Sequence, residues 1–305
     1  MVTVDDSRKQ DLTHLHPGSR ELALLSPAER LHRIRADRWI GYPKAVHAVE
    51  RLEALLCWPR KQRMPNLLLV GPTNNGKSMV IERFHRKHPP VTGGERENIP
   101  VVCMQMPPEP SPLRFYTAIL AALGAPLHPR PRVVELEQLV LSLLREVDAR
   151  MLVIDELHSV LAGRGETRRE FLNLLRYLGN ELQIPLVGVG TREAYLAVRS
   201  DDQLENRFEP FILPLWEVGG EARSLLASFA ASFPLRSPSS IDTEDMARYL
   251  LARSEGTIGE LARLLTAAAV AAVESGEERI NQRTLAMADY TGPSGRRQLF
   301  EKQLL

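Results

Sequence analysis

The sequence has few cysteines and no apolar run long enough to cross a bilayer. Its only two cysteines, Cys57 and Cys103, are far apart and without metal-ligand spacing, which favours free thiols in a reducing compartment. The most apolar stretch, residues 264–273, is about half of the ~20 residues that a membrane-spanning helix needs. The polar N-terminus lacks the apolar run of a secretory signal. We therefore expect a soluble, cytoplasmic protein with no membrane contact.

Net charge is also almost absent. The 39 Lys and Arg residues are balanced by 38 Asp and Glu residues, so the net charge is +1. Bulk positive charge is therefore no reason to expect nucleic-acid binding, which leaves only local basic patches for such a role. The composition, 44 % apolar and 25 % charged, is that of an ordinary globular protein. A chain of 305 residues is long enough for one large domain or two smaller ones.

Short apolar runs alternate with amphipathic segments as far as residue 216. Such runs are typical of strands buried on both faces, and their alternation with helices predicts an α/β fold with a parallel sheet covered on both sides. The predicted strands are 67–70, 101–104, 151–154, 185–189 and 211–213. The predicted helices between them are 78–88, 111–123, 133–147, 168–181 and 191–199.

The rest of the chain shows helical patterns only. Residues 1–25 have no sustained periodicity, whereas Ser26 and Glu29 form the sequence of a capping box at a helix start. After Trp216, helices are predicted at 219–232, 243–253, 258–274 and 282–289. The sequence therefore predicts an N-terminal arm (1–25), an α/β domain that begins with helices (26–216), a small helical domain (217–292) and a basic tail (293–305).

The segment from Gly71 to Ser78 matches the pattern G-x-x-x-x-G-K-[ST] in full. In such a loop the backbone amides point at phosphate oxygens, Lys77 reaches the β- and γ-phosphates, and the Ser78 hydroxyl ligates Mg²⁺. A chance glycine-rich turn is disfavoured, because a buried strand precedes the loop and an amphipathic helix follows it. The pattern predicts ATP and Mg²⁺ as cofactors. The predicted nucleotide-binding residues are Gly71, Pro72, Thr73, Asn74, Asn75, Gly76, Lys77, Ser78 and Met79.

Two adjacent carboxylates end the predicted strand 151–154. Asp155 suits the hydration shell of Mg²⁺, and Glu156 suits the polarisation of an attacking water molecule. A solvated acidic turn is the plain alternative, but the phosphate loop upstream favours the functional interpretation. A kinase has little use for a water-activating glutamate, so the pair favours ATP hydrolysis. His158 follows closely and is interpreted as a loop histidine.

Two further residues are candidates for catalysis. Thr191 follows the predicted strand 185–189, where its hydroxyl would position the lytic water, although it is also a good N-cap for the next helix. Arg207 precedes the last predicted strand and is a candidate arginine finger for a neighbouring subunit. The alternative for Arg207 is a cation that stabilises a helix C-terminus. Arg199 is a weaker candidate for the same finger.

The motifs GPTNNGKS, LVIDELH, PLVGVGT and LENRF, followed by a helical lid, resemble those of AAA+ ATPases in content and order. More narrowly, the chain resembles the TniB/TnsC family of transposition regulators, and its overall pattern is close to TniB. The features that carry this resemblance are Trp39–Tyr42 before the core, the NNGKS form of the loop, and EGTIGEL at residues 255–261. The resemblance extends from about residue 26 to residue 290.

The resemblance implies a function and a set of partners. Such proteins bind ATP between subunits, assemble into rings or helical filaments on double-stranded DNA, and connect a DDE transposase with a TniQ-type target-selection protein. Hydrolysis then disassembles the complex. By the same resemblance, Gly71–Ser78 is Walker A, Asp155 and Glu156 are Walker B, Thr191 is sensor 1 and Arg207 is the arginine finger. The residues implied to flank the adenine are Trp39, Ile40, Tyr42 and Pro43.

The sequence departs from the family pattern at two places. A sensor-2 arginine is expected where the lid reads Ile258-Gly-Glu260, and the first arginine after it is Arg263. The loop at residues 106–112 is rich in proline and contains an acid, which makes it a poor DNA-binding loop. Arg130 and Arg132 are better candidates for DNA contacts, with a solvated turn as the alternative.

Three other functions remain open from the sequence. One is a helicase loader or replication-initiator-like ATPase on the same fold. Another is a P-loop phosphotransferase, which would lack the usual arginine-rich substrate insertion and leave Glu156 unexplained. The last is a scaffold that uses nucleotide as a switch and hardly hydrolyses it, against which Glu156 and Arg207 argue.

Overall fold

The structure is a computed structural model that describes residues 11–91, 93, 97–127, 131–163 and 165–304. The chain divides into two compact units. One, here called the α/β unit, is Pro43–Pro214. The other, here called the helical unit, combines the residues up to Tyr42 with those from Leu215 onward.

The α/β unit contains a five-stranded sheet in which all neighbouring strands are parallel. The strand order β2-β3-β4-β1-β5 places β1 between β4 and β5, and this arrangement confirms the predicted fold class. Because the strands are parallel, they all end at one edge of the sheet, here called the carboxyl edge, and all begin at the opposite, amino edge. The strands are β1 Asn66–Val70, β2 Val101–Gln105, β3 Met151–Asp155, β4 Leu186–Gly190 and β5 Phe208–Ile212.

Helices cover the sheet and form the whole of the helical unit. In the α/β unit they are α3 Pro43–Leu56, α4 Lys77–His85, α5 Pro112–Ala122, α6 Val133–Glu146, α7 Gly165–Leu182, α8 Arg192–Arg199 and α9 Asp202–Glu205, with a 3₁₀ helix at Leu157–Ala162. In the helical unit they are α1 Pro17–Ala23, α2 Pro27–Arg35, α10 Gly220–Ser232, α11 Glu244–Arg253, α12 Ile258–Glu274, α13 Gln282–Met287 and α14 Pro293–Leu304.

The core of the α/β unit lies on both faces of the central strands. Every residue of β1 and β4 is buried, as expected for parallel strands that helices cover on both sides. Two fully buried aromatic rings, Phe115 on α5 and Phe171 on α7, meet edge to face with their centroids 5.0 Å apart. This contact joins α5 to α7 within the core of the unit.

The last strand differs from its predicted extent. The sequence predicts residues 211–213, whereas β5 is Phe208–Ile212 and pairs with β1 along its whole length. It is an edge strand in which Phe208 alone is buried, and it contains Pro210, which an edge position tolerates. A search for continuous apolar runs finds strands buried on both faces and therefore misplaces this one.

The helical unit includes part of the predicted N-terminal arm. Helix α1 is too short to show a periodicity, and contacts with α10 hold it in place: the backbone N–H of His16 donates to the carbonyl of Ala231 (2.9 Å), and the Ser19 hydroxyl donates to that of Ser232 (2.9 Å). The described residues up to Tyr42 therefore group with the C-terminal helices and not with the α/β unit. The predicted basic tail is also helical, as α14.

Helix α2 begins as its sequence predicts. The backbone N–H of Ser26 donates to the Glu29 carboxylate (3.0 Å), and the backbone N–H of Glu29 donates to the Ser26 hydroxyl (3.4 Å).

Among the described residues no single helix is long and apolar enough to span a membrane. One consecutive pair, α11 and α12, is long and apolar enough when the two helices are taken together, but the pair is bent by 108°.

A buried ion pair joins the two ends of the chain within the helical unit. Arg30 of α2 is 1 % exposed and donates to both carboxylate oxygens of Glu278, at 2.5 and 2.6 Å. The carbonyl of Pro234 and the backbone N–H of Arg236 complete the contacts of this pair. Burial acts to raise the pKa of Glu278, but the hydrogen bonds from Arg30 and Arg236 bring it below its usual value. The carboxylate is therefore held ionised opposite a buried guanidinium.

Replacing Glu278 removes the charge that compensates Arg30. Breaking one side of a buried ion pair costs about 3–5 kcal/mol, so we expect Glu278→Gln to lower the free energy of unfolding of the helical unit by about 3 kcal/mol. Urea unfolding can be followed by the fluorescence of Trp39 and Trp216 in a Trp58→Phe background, because Trp58 lies in the α/β unit.

A matched control is Glu244→Gln, which breaks the exposed pair with Arg248 on α11. This substitution should cost less than about 0.5 kcal/mol. Equal losses in the two variants would show that the Arg30 pair contributes no more than a surface pair.

Candidate nucleotide-binding site

The phosphate loop leaves β1 and turns into α4 at the carboxyl edge. Gly71 approaches the chain after β5 so closely that an added Cβ would lie 2.7 Å from the carbonyl oxygen of Leu213. Gly76 has φ 83°, in the left-handed region that favours glycine, and α4 begins at the next residue. Both glycines of the motif are therefore required by backbone geometry, as the sequence pattern predicts.

Lys77 lies inside the loop. Its side chain is buried, and its Nζ donates to the carbonyls of Gly71 (2.9 Å) and Pro72 (2.7 Å). Burial lowers the pKa of the Lys77 ammonium below its usual value, although the carboxylates of Glu156 and Asp155 act in the opposite direction. The loop thus holds a partly desolvated cation, whose present partners are neutral carbonyls that an anionic phosphate would outcompete.

Ser78 and Asp155 meet across the site. The Ser78 hydroxyl, in the first turn of α4, lies 3.2 Å from a carboxylate oxygen of Asp155 at the end of β3. A hydroxyl and a carboxylate are oxygen ligands of the kind that Mg²⁺ prefers. The donor set therefore fits Mg²⁺, and these two residues would hold it.

Glu156 departs from the direction of β3. Its backbone is in the left-handed region (φ 56°, ψ 34°), and its N–H donates to the Asp155 carboxylate at 2.8 Å. This conformation is uncommon for a residue other than glycine and recurs at functional sites. The backbone therefore changes direction between the two adjacent carboxylates, whose separate roles stay predictions.

His158 joins the site although the sequence indicates only a loop histidine. It lies on the 3₁₀ helix after β3, and its Nε2 is 3.2 Å from a carboxylate oxygen of Glu156. Its Nδ1 is buried and has no hydrogen-bond partner among the described residues. The spacing of two residues between Glu156 and His158 was the only signal in the sequence, and it becomes informative once the 3₁₀ turn is known.

Thr191 follows β4, between the ends of β3 and β1. It occupies the N-cap position of α8, but its hydroxyl donates to the carboxylate of Glu193 and not to a backbone amide. This hydrogen bond holds the pKa of the Glu193 carboxyl below its usual value. The capping hydrogen bond of the plain alternative is therefore absent from Thr191, and its catalytic role stays a prediction.

Asn75 ties the loop to the chain after β5. Its side chain is 2 % exposed, and its Nδ2 donates to the carbonyls of Leu213 (2.9 Å) and Pro214 (2.8 Å). The sequence assigns Asn75 to nucleotide binding with the rest of the loop. Its amide group holds the loop through these contacts, which are distant in sequence, and its part in nucleotide binding stays a prediction.

The predicted adenine-flanking residues lie in both units. Trp39, Ile40 and Tyr42 belong to the helical unit, whereas Pro43 begins α3 of the α/β unit. Tyr42 is buried, its ring centroid is 4.9 Å from that of Trp216, and burial raises the pKa of its hydroxyl to about 12. Contact of these residues with adenine stays a prediction. The nucleotide-binding role of Met79, on the first turn of α4, also stays a prediction.

Arg207 lies at the amino edge, away from the phosphate loop of its own chain. Its carbonyl accepts the N–H of Asn66 at the start of β1 (2.9 Å). The five residues of β5 separate it from the carboxyl edge, a distance of about 16 Å at about 3.3 Å per residue. The competing candidate, Arg199, is paired with Glu205 (3.0 Å).

In the part of the lid where the family pattern places a sensor-2 arginine, the chain has a buried glutamate. In the lid, Glu260 is 5 % exposed and is held by Arg296 at 2.9 and 3.1 Å, by Tyr290 at 3.0 Å and by Arg263 at 3.2 Å. Burial acts to raise the pKa of Glu260, but the hydrogen bonds from Arg296 and Tyr290 bring it below its usual value. Arg263 is thus engaged with a carboxylate of its own helix.

The candidate DNA contacts are only partly described. Arg130 lies outside the described residues. Arg132 is exposed at the N-cap position of α6, where its backbone N–H donates to the Glu135 carboxylate at 3.2 Å. Contact of its guanidinium with DNA stays a prediction.

Removing the Asn75 amide should weaken nucleotide binding. Asn75→Ala leaves two carbonyls, those of Leu213 and Pro214, without this donor, at a cost of about 1–3 kcal/mol. We expect the Kd for a fluorescent ATP analogue to rise about tenfold, which corresponds to about 1.4 kcal/mol. Asn206→Ala, which removes an exposed amide donor to the carbonyl of Asp202 at the amino edge, is the matched control. Equal affinities of the two variants would contradict the role given to Asn75.

Comparison with solved structures finds the same fold in three archaeal proteins. The ORC1 protein of Aeropyrum pernix in complex with DNA has a TM-score of 0.59 and 18 % identity, over 88 % of this chain and 69 % of that one. The ORC2 protein of the same organism, in ADPNP–ADP complexes, has 0.57 and 15 %, over 84 % and 70 %. Cdc6p from Pyrobaculum aerophilum has 0.56 and 16 %, over 81 % and 67 %.

These structural similarities show a P-loop AAA+ core with a helical region after it. No curated protein matches the chain in sequence. The family profile described as "Bacterial TniB protein" matches residues 30–218, which is more than half of the 305 residues and includes the phosphate loop, both carboxylates, Thr191 and Arg207. The chain therefore belongs to the bacterial TniB family.

Proposed function

We propose that this protein is an ATP-dependent regulator of DNA transposition in the cytoplasm. It binds and hydrolyses ATP with Mg²⁺, oligomerises as a ring or helical filament on double-stranded DNA, and links a TniQ-type target-selection protein to a DDE transposase. The observation that supports it most is the meeting of Lys77, Ser78, Asp155 and Glu156 at one edge of the sheet, in a chain of the TniB family.

Each side chain has a separate task in hydrolysis. Lys77 neutralises the β- and γ-phosphates, and Ser78 with Asp155 holds Mg²⁺, which offsets phosphate charge when it is bound. Glu156 orients and polarises the attacking water, and His158 orients the Glu156 carboxylate. Thr191, which follows the strand between β3 and β1, positions the same water.

The remaining cation comes from another copy of the chain. Arg207 lies about 16 Å from the carboxyl edge of its own sheet, so it is placed to act on nucleotide bound elsewhere. Assembly then depends on ATP, because the nucleotide lies between two copies. Hydrolysis removes the γ-phosphate and so weakens the contact.

DNA binding follows from the same assembly. With a net charge of +1, one copy has little general attraction for DNA, and affinity must come from a few contacts repeated along an oligomer. Arg130 and Arg132 are the candidate contacts. The ORC1 protein with the same fold was solved in complex with DNA, which supports a DNA-bound state here.

A replication-initiator or helicase-loader function is the second candidate, because ORC and Cdc6 proteins share the fold. The two functions differ in their partners. A protein that binds a DDE transposase and a TniQ-type protein in the presence of ATP and DNA is a transposition regulator, and one that binds a replicative helicase is a loader.

Duplex DNA binding measured with and without nucleotide tests the proposal. We expect tight binding with ATP and little without it, because ATP builds the oligomer. Lys77→Ala should abolish binding, since the phosphates lose their cation. Glu156→Gln should bind as wild type but dissociate at least about tenfold more slowly, because hydrolysis is blocked. Electron microscopy of the Glu156→Gln assembly would give the oligomer.

Three results would count against this proposal. Equal DNA binding with and without ATP would remove the role of the nucleotide in assembly. Transfer of the γ-phosphate to a small molecule would favour a phosphotransferase. A Glu156→Gln variant that dissociates as fast as wild type would favour a nucleotide switch in which hydrolysis has no part.

His158 should affect hydrolysis more than binding. We expect His158→Ala to lower kcat about tenfold and to leave the KM for ATP nearly unchanged, because the Glu156 carboxylate loses the contact that orients it. His158→Gln, which can still donate to that carboxylate, should recover part of the rate. Ser159→Ala, on the same 3₁₀ helix, is the control. A raised KM with unchanged kcat would place His158 in binding instead.

A further inference from the structure

Two arginines at the amino edge are held by neutral side chains. On α7, Asn173, Arg176 and Asn180 are three and four residues apart and therefore share one face of the helix. The Arg176 guanidinium donates to the amide oxygens of Gln203 and Asn173, the latter at 2.7 Å. The Arg207 guanidinium donates to the amide oxygen of Asn180 at 2.8 Å.

Several other arginines of the α/β unit pair with a carboxylate. Arg60 pairs with Asp148, Arg145 with Glu181, and Arg199 with Glu205. In the part of the chain that the structure describes, neither Arg176 nor Arg207 forms an ion pair with a carboxylate. Amide oxygens fix the direction of a guanidinium without neutralising its charge.

The two charges are also close enough to affect each other. Burial lowers the pKa of Arg207, and the charges of Arg63 and Arg176 lower it further. Asp201 acts in the opposite direction, but its carboxylate accepts the backbone N–H groups of Gln203 and Leu204 as the N-cap of α9. Arg63, Arg176 and Arg207 thus form a cluster of positive charge. A bound anion would reduce the repulsion between these charges.

We propose that Arg176 and Arg207 together bind the phosphates of a nucleotide held by a second copy of the chain. This inference rests on the proposed function, in which ATP lies between copies, and it adds Arg176 as a second cation beside the arginine finger. The phosphate loop of the same chain lies at the opposite edge of the sheet, so the anion must come from another molecule.

The chemistry favours a triphosphate over a DNA backbone as this anion. Two adjacent guanidiniums present paired N–H donors to a compact group that carries several charges. Duplex DNA instead offers single charges spaced along its strands, and it is normally bound by many separate cations. Asn173, Asn180 and Gln203 are then positioning residues that aim the two guanidiniums.

The test compares full-length Arg176→Ala with Arg145→Ala. Arg145 is a surface arginine of the same unit whose charge is matched by Glu181, so its loss should leave turnover unchanged. We expect Arg176→Ala to bind a fluorescent ATP analogue as wild type but to lose at least about tenfold in ATP turnover with duplex DNA present. Arg176→Lys, which keeps the charge and loses the paired donors, should be intermediate. An unchanged melting temperature would show that the fold is intact.

A mixing experiment locates the nucleotide on which Arg176 acts. Lys77→Ala has a defective phosphate loop and an intact arginine pair, whereas Arg176→Ala has the reverse. Mixed copies should turn over ATP faster than either variant alone, because a Lys77→Ala copy can supply both arginines to the nucleotide of an Arg176→Ala copy. No gain on mixing, with both variants folded, would overturn the inference.

The outcomes separate this inference from the proposed function. If Arg207→Ala loses turnover while Arg176→Ala behaves as Arg145→Ala, the inference fails and the proposed function stands. If Arg176→Ala keeps full turnover but binds DNA with a smaller salt dependence, the surface meets DNA and the inference is again overturned. If the wild type neither hydrolyses ATP nor assembles with it, the proposed function itself fails.

Discussion

Parallel pairing of all five strands is the constraint on which the rest of the α/β unit depends. It brings the residues that follow β1, β3 and β4 to one edge, so that a lysine, a hydroxyl and two carboxylates distant in sequence form one site. It also sends the residues that precede the strands to the other edge, where Arg207 lies. A single sheet thus presents the phosphate loop at one edge and Arg207 at the other, and in the proposed function a second copy brings the two together.

Much of the site could be predicted because its signals are local. The phosphate loop requires glycine at two backbone positions, and Gly71 and Gly76 meet that need for separate reasons, a close approach and a left-handed φ. The apolar runs that mark β1, β3 and β4 reflect burial on both faces. Asp155 and Glu156 follow such a run directly, so their place at the carboxyl edge could be derived without any tertiary contact.

The features that the sequence did not reveal depend on contacts between distant segments or on local geometry that has no sequence pattern. Asn75 looks like any loop residue until the carbonyls after β5 are found beside it. The approach of His158 to Glu156 requires a 3₁₀ turn that no pattern indicates. Strand β5 begins earlier than predicted because most residues of this edge strand are exposed and form no apolar run. Helix α1 is held by hydrogen bonds to residues more than two hundred positions away.

The buried pair between Arg30 and Glu278 has a consequence for the order in which the chain acquires its structure during synthesis. Its two members are separated by 248 positions, so the helix that the ribosome delivers early must wait for one of the last segments before its charge is compensated. The intervening α/β unit, residues 43–214, is compact by itself and has no such delay. A nascent chain would therefore complete its middle before its beginning, with α2 exposed to solvent until the C-terminal helices emerge.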